Sequence, residues 1–196
     1  MEMATFSKLL SVAAAFAASF VASVQPFYPE KWVAVPGLAG TYSPMRVVGE
    51  AGTPNETFVI TKNPWVDPPS YELTVTMNGK AGEFEAAPFQ LESVGVGVYF
   101  LDLKPKLEVA GNTLFRAHSL QVHSVVKVKV LKDGLSLAFL DKSALKKRRA
   151  AGKLSSLVDS DPYGGLLLTA PTVELQGFLK TAVADGLFIE HILYRR

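Results

Sequence analysis

Two stretches of strict alternation, each folded back at an X-Gly pair, constrain this chain more than any other feature. Tyr71, Leu73, Val75 and Met77 alternate with Glu72, Thr74 and Thr76, and Asn78-Gly79 follows at once. A period of two places one set of side chains on an apolar face and the other in water, as in a half-buried strand. Asn-Gly accepts positive φ at both central positions of a type I′ turn, so a return strand through Phe84 and Ala86, ending near Pro88, is expected. The second unit is clearer: Val126, Val128 and Val130 alternate with Lys127 and Lys129, Asp133-Gly134 turns, and Leu135, Leu137 and Phe139 return.

Further strands are expected over 41–48, 57–62, 94–103 and 114–120, each bounded by Gly, Pro or Asn. Stretch 94–103 is apolar on both faces, so it is expected to be covered on both sides, with Gly95-Val96-Gly97 bending the strand at a barrel corner. No helix-length pattern separates these strands, which argues against parallel βαβ units. The fold class expected is mainly β: an antiparallel meander closing into a barrel or half-barrel, which removes exposed edges. Two helices belong to the C-terminal third. Asp141 can cap a short one near 142–151, with Gly152 to end it. A second spans about 170–184, with Thr169 as cap and Pro171 in its first turn. There Leu175, Phe178, Leu179 and Ala182 recur at i, i+3, i+4 and i+7 and form one packing face. Residues 187–194 then alternate weakly as a closing strand.

Before the barrel pattern lies an address. Residues 9–24, LLSVAAAFAASFVASV, are sixteen without a charge, preceded by Lys8, and Gln25-Pro26 stops any helix. A spanning helix needs about 20 apolar residues, and Val21-Ala22-Ser23 supplies small residues for signal cleavage after residue 23. The organisation expected is a signal peptide over 1–23, an extension over 24–37 and one barrel domain over 38–196. Val21-Ala22-Ser23 also matches the start of a bacterial lipobox, but Val24 stands where the lipidated cysteine must be. The product expected is exported, periplasmic or secreted, and not lipid-anchored.

Two segments carry a family resemblance. One is VKVKVLKDGLSLAFL over 126–140, followed by Asp141; the other is LLTAPTVELQGFL over 167–179. Together they resemble the C-terminal half of a group of uncharacterised bacterial envelope lipoproteins, over roughly 115–190. That resemblance implies a small β-barrel with an added helix and no established activity. Separately, Leu38-Ala39-Gly40-Thr41-Tyr42 resembles the lipocalin opening, a Gly two residues before an aromatic that plugs the barrel floor, with Tyr42 in place of Trp. The barrel expected is therefore lipocalin-like.

The chain contains no cysteine, which excludes disulfides, thiol nucleophiles and thiolate metal sites. His118 and His123 are five apart, so on an unbroken strand they face opposite ways and cannot share an ion; His191 is remote. All three are expected to be surface or satisfied residues, and no metal site or cofactor is expected. There is no Gly-x-Ser-x-Gly and no phosphate-binding glycine loop. Asp102, Glu83 and Glu85 look like ordinary solvated carboxylates, and Asp159-Ser160-Asp161 like a turn, because Ala170 stands where a calcium loop needs Glu. No catalytic set emerges; a non-enzymatic protein is expected. Asn55-Glu56-Thr57 is a glycosylation sequon, of consequence only in a eukaryotic secretory pathway.

Two surfaces remain. Six of the chain's 20 cations fall in 142–153, which has no acid, leaving 14 cations against 18 acids elsewhere. Lys146, Lys147, Arg148 and Arg149 are the candidates for contact with an anionic membrane surface or an acidic protein; a net charge of +2 gives no ground for nucleic acid. The other surface is the barrel interior, where Tyr42, Tyr71, Leu73, Val75, Val128, Val130 and Phe139 are the candidates to line a site for a small apolar molecule or lipid.

Overall fold

The computed structural model describes residues 21–28, 32–44, 56–65, 69–77, 79–92, 94–106, 122–154, 157–159 and 166–196. The strand expected over 114–120, residues 1–20 of the signal peptide expected over 1–23, His118 and Asn55 lie outside the described residues. In chain order the elements are β1 (Val21–Ser23), β2 (Gly40–Pro44), β3 (Glu56–Asn63), β4 (Ser70–Met77), β5 (Lys80–Phe89), β6 (Val98–Pro105), β7 (His123–Leu131) and β8 (Gly134–Leu140). They continue with α1 (Lys142–Ala150), β9 (Leu157–Asp159), β10 (Leu166–Leu168), α2 (Thr172–Ala184) and β11 (Phe188–Arg195).

Strands β2 to β8 pair antiparallel in sequence order; β11 lies between β8 and β2 and completes a closed eight-stranded barrel. The two hairpins set the register. Leu73 lies opposite Phe84 and Val75 opposite Gly82 around Asn78-Gly79, and Gly79 has the expected positive φ of 78°. In the second hairpin Leu131 pairs with Gly134, so the loop is Lys132-Asp133 and not Asp133-Gly134. Gly134 begins β8, and a Cβ there would run into the Leu193 carbonyl oxygen of β11. Its glycine serves close approach of two strands, not a left-handed turn.

Alternate residues of these strands fill the interior: Tyr42, Phe58, Ile60, Tyr71, Leu73, Val75, Phe84, Leu101, Leu103, Val126, Val128, Leu135, Leu137, Phe139 and Leu193 form one buried cluster. A second cluster lies outside the wall. Phe89, Phe100, Val125 and Leu140 pack there with Leu145 of α1, Leu175, Leu179 and Ala182 of α2, and Val21, Phe27, Leu166 and Leu168. Strand β6 is therefore covered on both faces, as its composition requires. Gly95 and Gly97, however, sit in the turn before β6 and do not bend the strand itself.

The flank contains elements that alternation did not disclose. Strand β1 runs parallel to β10 and antiparallel to β7, and β10 continues to β9, where Asp159, expected in a turn, is the last residue. Beyond the Val126–Phe139 pair β8 turns away from β7, and β1 takes the vacated edge at Ser124 and His123.

Helix α1 begins as expected: Asp141 Oδ1 accepts from the backbone N–H groups of Ser143 and Ala144 at 2.8 and 3.1 Å. For α2 the cap position is Pro171, with no side-chain cap, and not Thr169. Proline disfavours helical backbone at the residue before it, so the helix cannot extend back through Ala170. Both helices stop alike. Gly152 and Gly186 take φ of 71° and 66°, and the next N–H reaches back to the Arg148 and Ala182 carbonyls respectively.

Candidate functional site: the barrel interior and its two ends

One end of the barrel is stoppered by the residues before β2. Val33 N–H donates to the Pro88 carbonyl at 2.9 Å, and Val35 and Leu38 are buried inside the barrel. Tyr71 Oη accepts from Val35 N–H at 3.2 Å, tying the stopper to β4. Tyr42, fully buried, donates its hydroxyl to the Leu38 carbonyl at 2.8 Å. From the last strand, Arg195 Nη2 lies 2.9 Å from Gly37 O, 3.0 Å from Ala39 O and 3.1 Å from Tyr42 Oη. Its guanidinium also sits 5.6 Å from the centre of the Tyr42 ring, within cation–π range. Tyr42 thus lies buried at the stoppered end, bonded to the chain that closes it. Arg195 carried no signal in the sequence, because its role depends on the two chain ends meeting.

All seven lining candidates belong to the interior. Tyr42, Tyr71 and Val130 lie at the stoppered end, where Val130 is only partly buried. Leu73 and Val128 lie midway, with Val75 and Phe139 towards the other end. Near that far end the interior changes character. Glu56 opens β3 on the same face as Phe58 and Ile60 and is 2% exposed. His191 shares the face of Leu193 on β11, with its ring 5.6 Å from that of Phe139. Burial pushes the His191 imidazole below its ordinary value of 6.5, and the Glu56 charge opposes that shift. Its Nε2 is buried with no hydrogen-bond partner among the described residues, so the expectation of a surface or satisfied histidine does not hold here. Extending the alternation of 57–62 back by one step would have placed a carboxylate on the apolar face of β3.

Asp102 corrects the sequence reading. It faces outward from β6, but the flank covers that face, so it is 2% exposed rather than solvated. Its Oδ2 accepts from Phe27 N–H at 2.7 Å and its Oδ1 lies 2.8 Å from His123 Nδ1. The carboxylate thereby clamps the chain after β1 to β6 and β7. Glu83 and Glu85 are exposed, as expected. Among the described residues no three His, Asp or Glu side chains converge as a metal site.

On α1, buried Leu145 fixes the helix against the flank and leaves Lys146 and Lys147 exposed. Arg148 instead reaches Asp185 at 2.6 Å, and Arg149 is half-buried, so the four cations do not form one free patch. No described helix is long and apolar enough to cross a membrane.

These features define a closed antiparallel eight-stranded β-barrel with one stoppered end and a helix-covered flank. No family model, no curated protein and no solved structure matches the chain.

Proposed function

We propose that this is an exported, non-catalytic protein that holds a small apolar molecule or lipid in the barrel interior. The observation that carries this reading is the polarity of the interior from end to end. A hydrogen-bonded stopper occupies one end, apolar walls follow, and a carboxylate and an imidazole lie towards the other. An apolar ligand would enter from the Glu56 end, bury its tail against Leu73, Val75, Val128 and Phe139, and leave its polar head beside Glu56 and His191. Eight strands enclose an interior that side chains fill or that accepts one small ligand. Native mass spectrometry of protein from its own host, before and after organic extraction, tests this. Bound mass that leaves on extraction is the expected result. A bare chain that also fails to take up the apolar fluorophore N-phenyl-1-naphthylamine saturably would overturn the reading.

A second reading rests on α1. Lys146 and Lys147 project into solvent with no ion pair among the described residues, which suits contact with an anionic membrane surface. Glu at both positions should abolish salt-sensitive binding to vesicles containing phosphatidylglycerol and leave uptake of the fluorophore unchanged. Unchanged vesicle binding would end this reading.

A further inference from the structure

The placement of β1 bears on where an exported chain is cut. Val21, Ala22 and Ser23 are 2%, 9% and 0% exposed. They pair with Leu166, Leu167 and Leu168 of β10 on one side, and Ala22 and Ser23 pair with Ser124 and His123 of β7 on the other. In the sheet β1 is the strand through which β10 and β9 join the barrel. The chain just after it is held as firmly. Thr172 Oγ1 donates to the Pro26 carbonyl at 2.9 Å, Gln176 Nε2 donates to the Phe27 carbonyl at 3.3 Å, and Asp102 accepts from Phe27 N–H. Cleavage after Ser23 would remove β1 entirely. It would leave β10 and the start of β7 without their shared partner and take Val21 out of the flank core.

We propose that the leader is hydrolysed at the Ser19–Phe20 bond, so that β1 stays in the mature protein; this inference rests on the export reading above. Water adds across the peptide bond, giving a carboxylate on Ser19 and an amino group on Phe20. The sequence supports the bond independently. Ala17 and Ser19 place small side chains at the third and first positions before it. The apolar run ahead of them, 9–16, is then eight residues long and falls within the roughly 7–15 typical of a signal peptide's apolar region. Counted the same way, cleavage after Ser23 leaves an apolar run of twelve, 9–20, also within that range, so it is the place of Val21–Ser23 in the fold that separates the two bonds.

The test is the intact mass of the full chain expressed with its own leader in an exporting bacterial host and recovered from the periplasm or medium. A chain beginning at Phe20 is expected. An exported chain with any other N terminus, Val24 included, overturns the assignment while leaving export intact. A chain found only inside the cell and still beginning at Met1 overturns the export reading, and this inference with it. A second measurement reads the structural premise directly, with chains made without a leader from Phe20 and from Val24. The first should match the exported protein in its urea midpoint. The second should unfold at lower urea, with loss of hydrogen-exchange protection at His123, whose backbone faces Ser23, and at Leu168. Equal midpoints and protection would overturn the premise.

Discussion

Asp102→Ala removes the acceptor for the amide of Phe27, a residue with no exposed surface, and the carboxylate beside His123. Hydrogen bonds to a charged group contribute about 1.5–3 kcal/mol each. His123 retains 14% side-chain exposure, so water replaces part of its lost bond. The two together put the cost at about 3–4 kcal/mol, near the lower end for breaking a buried pair by removing one partner. In a chain of this length each kcal/mol moves Tm by about 2–4 °C, so a fall of roughly 6–16 °C is expected. Asp102→Asn keeps the shape and an acceptor for Phe27 N–H but loses the charge, and should cost about half as much. His123→Ala should add little in the Asp102→Ala background, because the interaction it removes is already gone. Urea unfolding reads all of these, followed by circular dichroism and by the fluorescence of Trp32, which packs edge-on against Tyr28 near the clamp. An Asp102→Ala chain within about 0.5 kcal/mol of the parent, the range of ordinary surface changes, or additivity of the two alanine substitutions would contradict the clamp.

Arg195→Ala should loosen the stoppered end, losing about 1–2 kcal/mol, since the side chain is exposed yet bonds two carbonyls and a phenol; an unchanged near-ultraviolet tyrosine signal with unchanged stability would contradict this. Gly134→Ala should cost about 1–3 kcal/mol by forcing β8 from β11, measured as a lower urea midpoint. Because burial lowers the pKa of His191 in the folded chain, the unfolded chain binds more protons as pH falls through about 6.5. Its contribution is therefore present above that value and declines below it. Comparing urea midpoints at pH 7.5 and 5.5, His191→Gln should show a smaller drop than the parent; an equal or larger drop would count against it.

Much of the barrel was legible because it is written locally. Alternation at 71–77 and 126–139 names the inward face residue by residue, and that face holds every lining candidate from Leu73 to Phe139. Asp141 and Gly152 bound α1 because a cap acts within a few residues of its own position. The errors have the same root. Thr169 looked like a cap when only Thr and Pro171 were weighed, but the helix starts where the residue before proline permits. Asp102 looked solvated because alternation places it on the outer face, and nothing nearby in sequence says that the outer face is covered.

Pattern alone therefore determined that the chain is an antiparallel barrel with two late helices, since side-chain period, turn chemistry and capping are properties of neighbouring residues. Tertiary structure decided the rest: that Val21–Ser23 joins β7 to β10, that Arg195 closes the end opened by Gly40, and that Glu56 and His191 share an apolar interior. Each of these depends on contacts between segments far apart in the chain. The sequence fixes such contacts only through the whole packing, where burial turns an ordinary carboxylate or arginine into the partner of one particular group.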